Sequence, residues 1–171
     1  MSLPYYSVNV LTGTKSSKLL EDASEAAGMI KKAKRPLLVI GPLCAMEYLT
    51  KIAQVGKIPV VATANTKKRL VELGVTPDST FDTVEIINHL KKPDWQGVKG
   101  EGNHDLVIFS GIRCDLAELG LSTLKHFAPH LKTFALCRLS HPNANYALPI
   151  LNTEKWKDYL ESVINLLTEN N

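Results

Sequence analysis

The fold is decided by one stretch of the chain, Arg35-Pro36-Leu37-Leu38-Val39-Ile40-Gly41-Pro42. Four apolar residues run without interruption between a basic segment and a Gly-Pro turn, which is the pattern of a buried strand in a parallel sheet. The pattern returns downstream in Asp105-Leu106-Val107-Ile108-Phe109-Ser110-Gly111. Two strand-glycine-helix units predict a Rossmann-like, doubly wound parallel sheet, with any ligand at the carboxyl ends of the strands.

Helical periodicity fills the segments between the predicted strands. Capping residues, or a turn after a strand, precede each periodic segment. The predicted helix starts are Ser16 or Ser17, the turn after Gly41-Pro42, Asn65, Ser79 and Asp115, and a cap near Asn152. Because helices and strands alternate, the expected architecture is a three-layer α/β/α domain.

Two further strands and one long loop complete the expected order of elements. Apolar runs predict a short strand at residues 59–63 and a last strand at residues 131–139. The segment 94–104 holds three glycines and little apolar content, so it is expected to be an exposed loop.

Length and composition narrow the class of protein. With 171 residues and 44% hydrophobic content, the chain is expected to form a single α/β domain over residues 1–171, with an N-terminal arm of about residues 1–15. The net charge of +3 is dispersed along the chain, which argues against a nucleic-acid partner. The apolar runs are too short for a membrane span, and Met1-Ser2-Leu3-Pro4-Tyr5-Tyr6 does not resemble a signal peptide, so a cytoplasmic location is expected.

The three cysteines are Cys44, Cys114 and Cys137, and each comes at or just after a predicted strand end. They are therefore expected to approach one another in space. No Cys-x-x-Cys pair or ligand-spaced histidine is present, so no metal site is predicted, and three cysteines cannot hold a conventional four-cysteine cluster. Cys44 and Cys114 precede helices, which leaves a nucleophile open, but no base is identifiable and no catalytic residue is assigned.

The candidate cofactor-binding residues lie in the two glycine turns. They are Gly41, Pro42, Gly111, Ile112 and Arg113. The first turn lacks the second and third glycines of a dinucleotide fingerprint. The second turn offers a helix N-terminus and Arg113 as a partner for phosphate, or simply an exposed arginine beside a capping aspartate. A ligand site and a purely structural scaffold both remain open.

Several segments together resemble the epsilon subunit of the archaeal acetyl-CoA decarbonylase/synthase complex. The resemblance covers most of the chain, in the expected order. Its segments are Lys32-Ala33-Lys34-Arg35-Pro36-Leu37-Leu38-Val39-Ile40-Gly41-Pro42, Ser110-Gly111-Ile112-Arg113, Leu121-Ser122-Thr123-Leu124-Lys125-His126-Phe127 and His141-Pro142-Asn143-Ala144-Asn145-Tyr146.

This resemblance implies a small non-catalytic subunit that binds the nickel-iron-sulfur alpha subunit of carbon monoxide dehydrogenase. Such a subunit would stabilise its partner or help electrons reach it, in anaerobic acetyl-CoA cleavage and synthesis. The family also resembles the FAD/NAD-binding central domain of thiamine-diphosphate enzymes, which holds FAD in some members. No cofactor is assigned from the residues, and FAD is the candidate that this resemblance offers. A homo-oligomer is expected.

Two other functions stay open at the level of the sequence. One is a stand-alone flavin- or nicotinamide-binding oxidoreductase with its pyrophosphate at the glycine turns. The other is a small thiol-dependent or sirtuin-like enzyme, which needs a base near Cys44 or Cys114. If the chain is a subunit, its expected docking surfaces are the apolar arm at residues 3–8 and the loop around Trp95, although both segments could instead pack on their own domain.

Overall fold

Strands and helices alternate along residues 16–169, the part of the chain that the computed structural model describes. The strands are β1 (Lys18–Leu19), β2 (Pro36–Ile40), β3 (Val60–Ala62), β4 (Ser79–Thr80), β5 (Leu106–Ser110), β6 (Lys132–Ala135) and β7 (Tyr146–Ala147). The helices are α1 (Ala23–Lys32), α2 (Met46–Gly56), α3 (Thr66–Glu72), α4 (Thr83–Lys91), α5 (Cys114–Phe127) and α6 (Thr153–Thr168). All paired strands run parallel in one seven-stranded sheet, which confirms the predicted fold class.

Two apolar layers enclose the sheet, because successive side chains of a strand point to opposite faces. Leu38 and Ile40 of β2 belong to the core that also contains buried residues of α1, α2 and α6. Leu37 and Val39 belong to the core formed with α4 and α5. The uninterrupted apolar run of β2 is thus explained by burial on both sides, and the three-layer α/β/α architecture is confirmed.

The order in which the chain adds strands to the sheet reverses between β2 and β5. The strand order is β1-β7-β6-β5-β2-β3-β4, so the chain builds outward from β2 through β3 and β4, and from β5 through β6 and β7. The last paired residues of these two central strands are Ile40 and Ser110. Gly41 and Gly111 therefore follow side by side at the switch point, where open α/β sheets bind their ligands.

The predicted start of the first helix at Ser16 or Ser17 is wrong. Lys18 and Leu20 instead donate backbone hydrogen bonds of 2.9 Å to the segment around β7, and this pairing forms the edge strand β1. The helix begins only at Ala23, where Asp22 caps it by accepting a 2.8 Å hydrogen bond from the Ser24 amide. Pairing with a distant strand has displaced the local helical pattern.

Other boundaries shift for local reasons. Ser79 belongs to β4, and Asp82 caps α4 through a reciprocal capping box with Glu85. Helix α5 begins at Cys114, so the predicted start at Asp115 is one residue late. The strand predicted at residues 131–139 is confined to β6, and β7 was not predicted at all. Asn152 caps α6 as predicted, by accepting a 2.8 Å hydrogen bond from the Lys155 amide.

The segment 94–104 is partly packed, which corrects the expectation of an exposed loop. The Trp95 ring stacks on His89, with 5.2 Å between centroids, and lies 5.6 Å from the ring of His104. His104 is buried and its Nδ1 lies 3.1 Å from the Arg35 carbonyl oxygen. Contacts between these aromatic rings bury part of the loop, which its glycine-rich composition does not suggest. Trp95 therefore packs on its own domain.

Candidate functional site at the carboxyl edge

The two glycine turns meet at the switch point, as predicted, and they contact each other directly. The Gly41 amide donates to the Ser110 carbonyl at 2.8 Å, and the Leu43 amide donates to the Gly111 carbonyl at the same distance. A Cβ atom at Gly41 would lie 2.4 Å from the Gly111 carbonyl oxygen, and Gly111 has a φ of +75°. Both glycines are therefore required for the close approach of the two backbones.

A cleft with a volume of about 500 Å³ opens beside these turns, at the carboxyl ends of β2, β5 and β6. Four of the predicted cofactor-binding residues lie at this edge, and Pro42, Gly111 and Ile112 line the cleft. Arg113 points elsewhere: its guanidinium donates to the Asp115 carboxylate at 2.8 and 2.6 Å, and its side chain is 75% exposed. This ion pair and the hydrogen bonds from Arg113 hold the pKa of Asp115 down to about 2.

All three cysteines line this cleft, which confirms that they converge at the strand ends. Cys44 is half-buried, and its Sγ lies 3.2 Å from the Gly41 carbonyl oxygen. Burial, with a contribution from Cys137, raises the pKa of the Cys44 thiol to about 12. Cys114 is exposed at the start of α5, and Cys137 is half-buried after β6. The three thiols thus share one cavity in three different environments.

A buried histidine in the same cleft was missed by sequence reasoning. His141 is 2% exposed and lines the cavity. Its Nδ1 lies 2.7 Å from Oε1 of Glu118 on α5, and the Asn143 amide donates to the other carboxylate oxygen at 2.7 Å. In the sequence, Glu118 comes three residues after Asp115 and fits a helix-start pattern, so its contact with His141 is not visible there. The polar residues after β6 are a sign of a possible site, but no local sequence pattern indicates that they contact α5.

The charge of His141 is set by its two neighbours. Burial by itself lowers the pKa of the imidazole, but the Cys137 side chain and the Glu118 carboxylate outweigh it and raise the pKa of His141 to about 10. The ring is therefore an imidazolium at neutral pH. Its Nε2 atom is buried and has no hydrogen-bond partner of ordinary geometry.

A second large cavity, of about 590 Å³, lies at the opposite edge of the sheet. Three of the charged groups that line it have partners: Lys18 pairs with Glu25, and Asp105 accepts hydrogen bonds of 2.8 Å from the backbone amides of Lys34 and Arg35. The carboxyl-edge cleft is the better candidate, because it combines three thiols with a buried, unpartnered imidazole nitrogen.

Two classes of feature are missing from residues 16–169. These residues contain no group of three or more histidine, cysteine or acidic side chains arranged to hold a metal ion. Within the same range, no helix is long and apolar enough to cross a membrane.

Comparison with known proteins adds a family context. Residues 1–164 match the family described as CO dehydrogenase beta subunit/acetyl-CoA synthase epsilon subunit. The chain is 45% identical over 158 residues to the acetyl-CoA decarbonylase/synthase complex subunit epsilon of Methanothermobacter thermautotrophicus, with 90% of each chain covered. It is 38% identical over 135 residues to subunit epsilon 1 of Archaeoglobus fulgidus, which covers 75% of this chain and 72% of that one. A third relative, subunit epsilon 1 of Methanosarcina barkeri, is 33% identical over 83% of this chain and 85% of its own.

Proposed function

Because the chain belongs to the CO dehydrogenase beta subunit/acetyl-CoA synthase epsilon subunit family, we propose that it is the accessory epsilon subunit of an acetyl-CoA decarbonylase/synthase complex. The observation that carries this proposal is the 45% identity over 90% of both chains. The proposed partner is the nickel-iron-sulfur alpha subunit of carbon monoxide dehydrogenase, to which we assign the metal chemistry. The relatives lend no support to a stand-alone oxidoreductase.

We further propose a single-domain chain in the cytoplasm that self-associates within the complex. Its role is to stabilise the alpha subunit or to assist electron transfer to and from it, in anaerobic acetyl-CoA cleavage and synthesis.

The carboxyl edge of the sheet supplies the proposed docking surface. Leu43 follows β2 and is 66% exposed, and Ile150 follows β7 and is 59% exposed. The strands are parallel, so both residues follow strands that end at the same edge of the sheet, where Leu43, Arg138 and Lys157 line the cleft. Apolar side chains next to a few cationic groups are typical of interfaces with acidic partners. The arm at residues 3–8 lies outside the described residues and stays a prediction.

A bound FAD would have to lie in the cleft itself. The space between the two glycine turns is filled by their own backbones, so a pyrophosphate does not fit between Gly41 and Gly111. Pro42 and Ile112 line the cleft and would flank such a ligand. Arg113 would reach a phosphate only after leaving Asp115. These residues remain our proposed nucleotide contacts, and no chemical step is derived through the cofactor.

Capture of the alpha subunit by the tagged full-length chain tests the proposal. We expect the wild-type chain to retain a nickel-containing alpha subunit, and the double variant Leu43→Asp/Ile150→Asp to weaken capture at least about tenfold, because two charges would enter the interface core. Val84→Asp is the matched control: Val84 is 56% exposed but lies on α4. All three substitutions are on the surface, so the unfolding midpoint should hardly change.

Two outcomes would contradict different parts of this proposal. Failure of the wild-type chain to retain any alpha subunit would refute the subunit function. Equal capture by wild type and the double variant would leave the function standing and reject the carboxyl edge as the docking surface. In that case deletion of residues 1–8 becomes the next variant to examine.

A further inference from the structure

Two buried N–H groups belong to side chains that line the carboxyl-edge cleft and have no acceptor within residues 16–169. One is at Nε2 of His141, between β6 and β7, and the other is at Nε1 of Trp156, near the start of α6. Both side chains are more than nine-tenths buried, with 2% and 6% of their surface exposed. A buried donor without a partner is destabilising, so both groups are suited to receive an acceptor from a ligand.

His141 acts here as a donor and not as an acceptor. Its pKa of about 10 keeps the ring protonated at neutral pH, and a protonated imidazole carries an N–H at each nitrogen. Nδ1 lies 2.7 Å from the Glu118 carboxylate. The neighbouring thiol of Cys137 forms its own hydrogen bond, from Sγ to the Phe109 carbonyl oxygen at 3.8 Å. The N–H at Nε2 therefore favours a ligand oxygen that carries negative charge.

The cleft around these donors has an excess of positive charge. Arg138 and Lys157 line it and are exposed. Glu47, the acid among the described lining residues, is already paired with Arg69 at 2.9 Å. Helices α2 and α5 begin at this cleft, and neither has an N-cap side chain that accepts a hydrogen bond from its first turn. The positive ends of helix dipoles attract anions, so the cleft favours an anionic ligand.

Much of the remaining wall is apolar. It includes Leu43, Ile112 and Leu139, in a cavity of about 500 Å³. A few polar groups in an apolar wall of this size are typical of small-molecule sites. The number of buried donors matches a carboxylate, which has two oxygens, whereas a phosphate has further oxygens to satisfy. The features of the wall thus fit a carboxylate with a short apolar chain.

We propose that the carboxyl-edge cleft binds a small amphipathic acid, whose carboxylate accepts hydrogen bonds from Nε2 of His141 and Nε1 of Trp156. Arg138 and Lys157 attract the charge at the exposed rim, and the apolar wall covers the chain of the ligand. Glu118 is a positioning residue, because it holds the imidazole through Nδ1. The head-group contacts differ from the proposed nucleotide contacts, and this inference is independent of the proposed subunit function.

Hexanoate tests this site, with hexanamide as its uncharged isostere. In the ¹⁵N-labelled full-length chain, the two indole N–H signals come from Trp95 and Trp156, and Trp156→Phe assigns them. We expect hexanoate to shift the Trp156 signal in a saturable manner and to leave the Trp95 signal in place. Hexanamide should bind at least about tenfold more weakly, because charge-assisted hydrogen bonds are roughly twice as strong as neutral ones. No saturable shift of the Trp156 signal, or equal binding of both compounds, would overturn the proposal.

Matched variants separate the head-group contacts from general apolar binding. Trp156→Phe removes the indole N–H and His141→Gln removes the charge, and each should weaken hexanoate binding about tenfold in calorimetry. Trp95→Phe is the same change outside the cleft and should bind hexanoate as wild type does. If Trp156→Phe is folded by circular dichroism and keeps wild-type affinity, Nε1 is not a contact and the proposal fails. The indole shift of the wild-type chain decides the test even if His141→Gln does not fold.

Discussion

The Glu118–His141 pair should make folding stability depend on pH in a specific direction. The imidazolium is buried, and Glu118 is the carboxylate that holds its charge. Glu118→Gln keeps the size of the side chain and removes only that negative charge. The variant should therefore lower the pKa of His141, because only the Cys137 side chain is then left to offset the burial of the cation.

The magnitude follows from the shift in pKa. The folded pKa of His141 is about 10 and its ordinary value is 6.5, so the stabilisation is fully present below pH 6.5 and is lost as the pH rises toward 10. In that interval the folded state holds one more proton than the unfolded state, and stability falls by at most about 1.4 kcal/mol per pH unit. Because Glu118 is 27% exposed, solvent screens the pair, and we expect a loss of about 1–3 kcal/mol between pH 6.5 and about 8.5.

His104 and Cys44, whose pKa values are also shifted, change their charge outside the interval from pH 6.5 to about 8.5. Burial lowers the pKa of His104, so its effect has the opposite sign and lies below pH 6.5. The pKa of Cys44 rises from 9.0 to about 12, which removes stability only above pH 9. Between these limits, His141 is the main source of pH dependence among the shifted groups of residues 16–169.

Urea unfolding of wild type and Glu118→Gln at several pH values in this window provides the measurement. The variant should be about 1–3 kcal/mol less stable at pH 6.5, and the two curves should converge as the pH rises. Glu161→Gln, a change at an exposed position of α6, is the matched control and should follow wild type. A wild-type stability that does not change with pH, or a constant gap between the curves, would show that the Glu118–His141 pair does not set the pH dependence.

Three further predictions concern the carboxyl edge and the metal chemistry. Gly41→Ala should destabilise the chain by about 2–4 kcal/mol in thermal unfolding, since the new Cβ would clash with the backbone at Gly111. Gly28→Ala in α1 is the control: a Cβ there has nothing within 4 Å, so the change should stabilise the chain by about 0.5–1 kcal/mol. Equal changes in stability for the two variants would contradict the close approach of the two turns. If calorimetry detects FAD binding, Arg113→Ala should weaken it by about 1–3 kcal/mol, and unchanged affinity would remove Arg113 from the site. The chain purified alone under anaerobic conditions should contain no stoichiometric nickel or iron and should not oxidise carbon monoxide, which elemental analysis and a CO-oxidation assay can check.

The central part of the fold can be predicted from the amino-acid sequence alone. Strands β2 and β5 are buried on both faces, so their unbroken apolar runs are visible without any partner. Asn152 marks the start of α6, because a cap depends on a few consecutive residues. The convergence of the three cysteines also followed from the sequence, since parallel strands end at one edge.

The tertiary structure decided everything that depends on residues far apart in the chain. Strands β1 and β7 are two residues long and exist because β1 pairs with β7 and β7 also pairs with β6, so no local sequence pattern indicates them. The glycines of the two turns are required by contact between backbones and leave no gap there for a phosphate. Glu118 and His141 are 23 residues apart, and only the packing of α5 against the loop after β6 joins them. Neither residue carries a local signal of its role, because the charge of a buried imidazole depends on the neighbours that the fold brings to it.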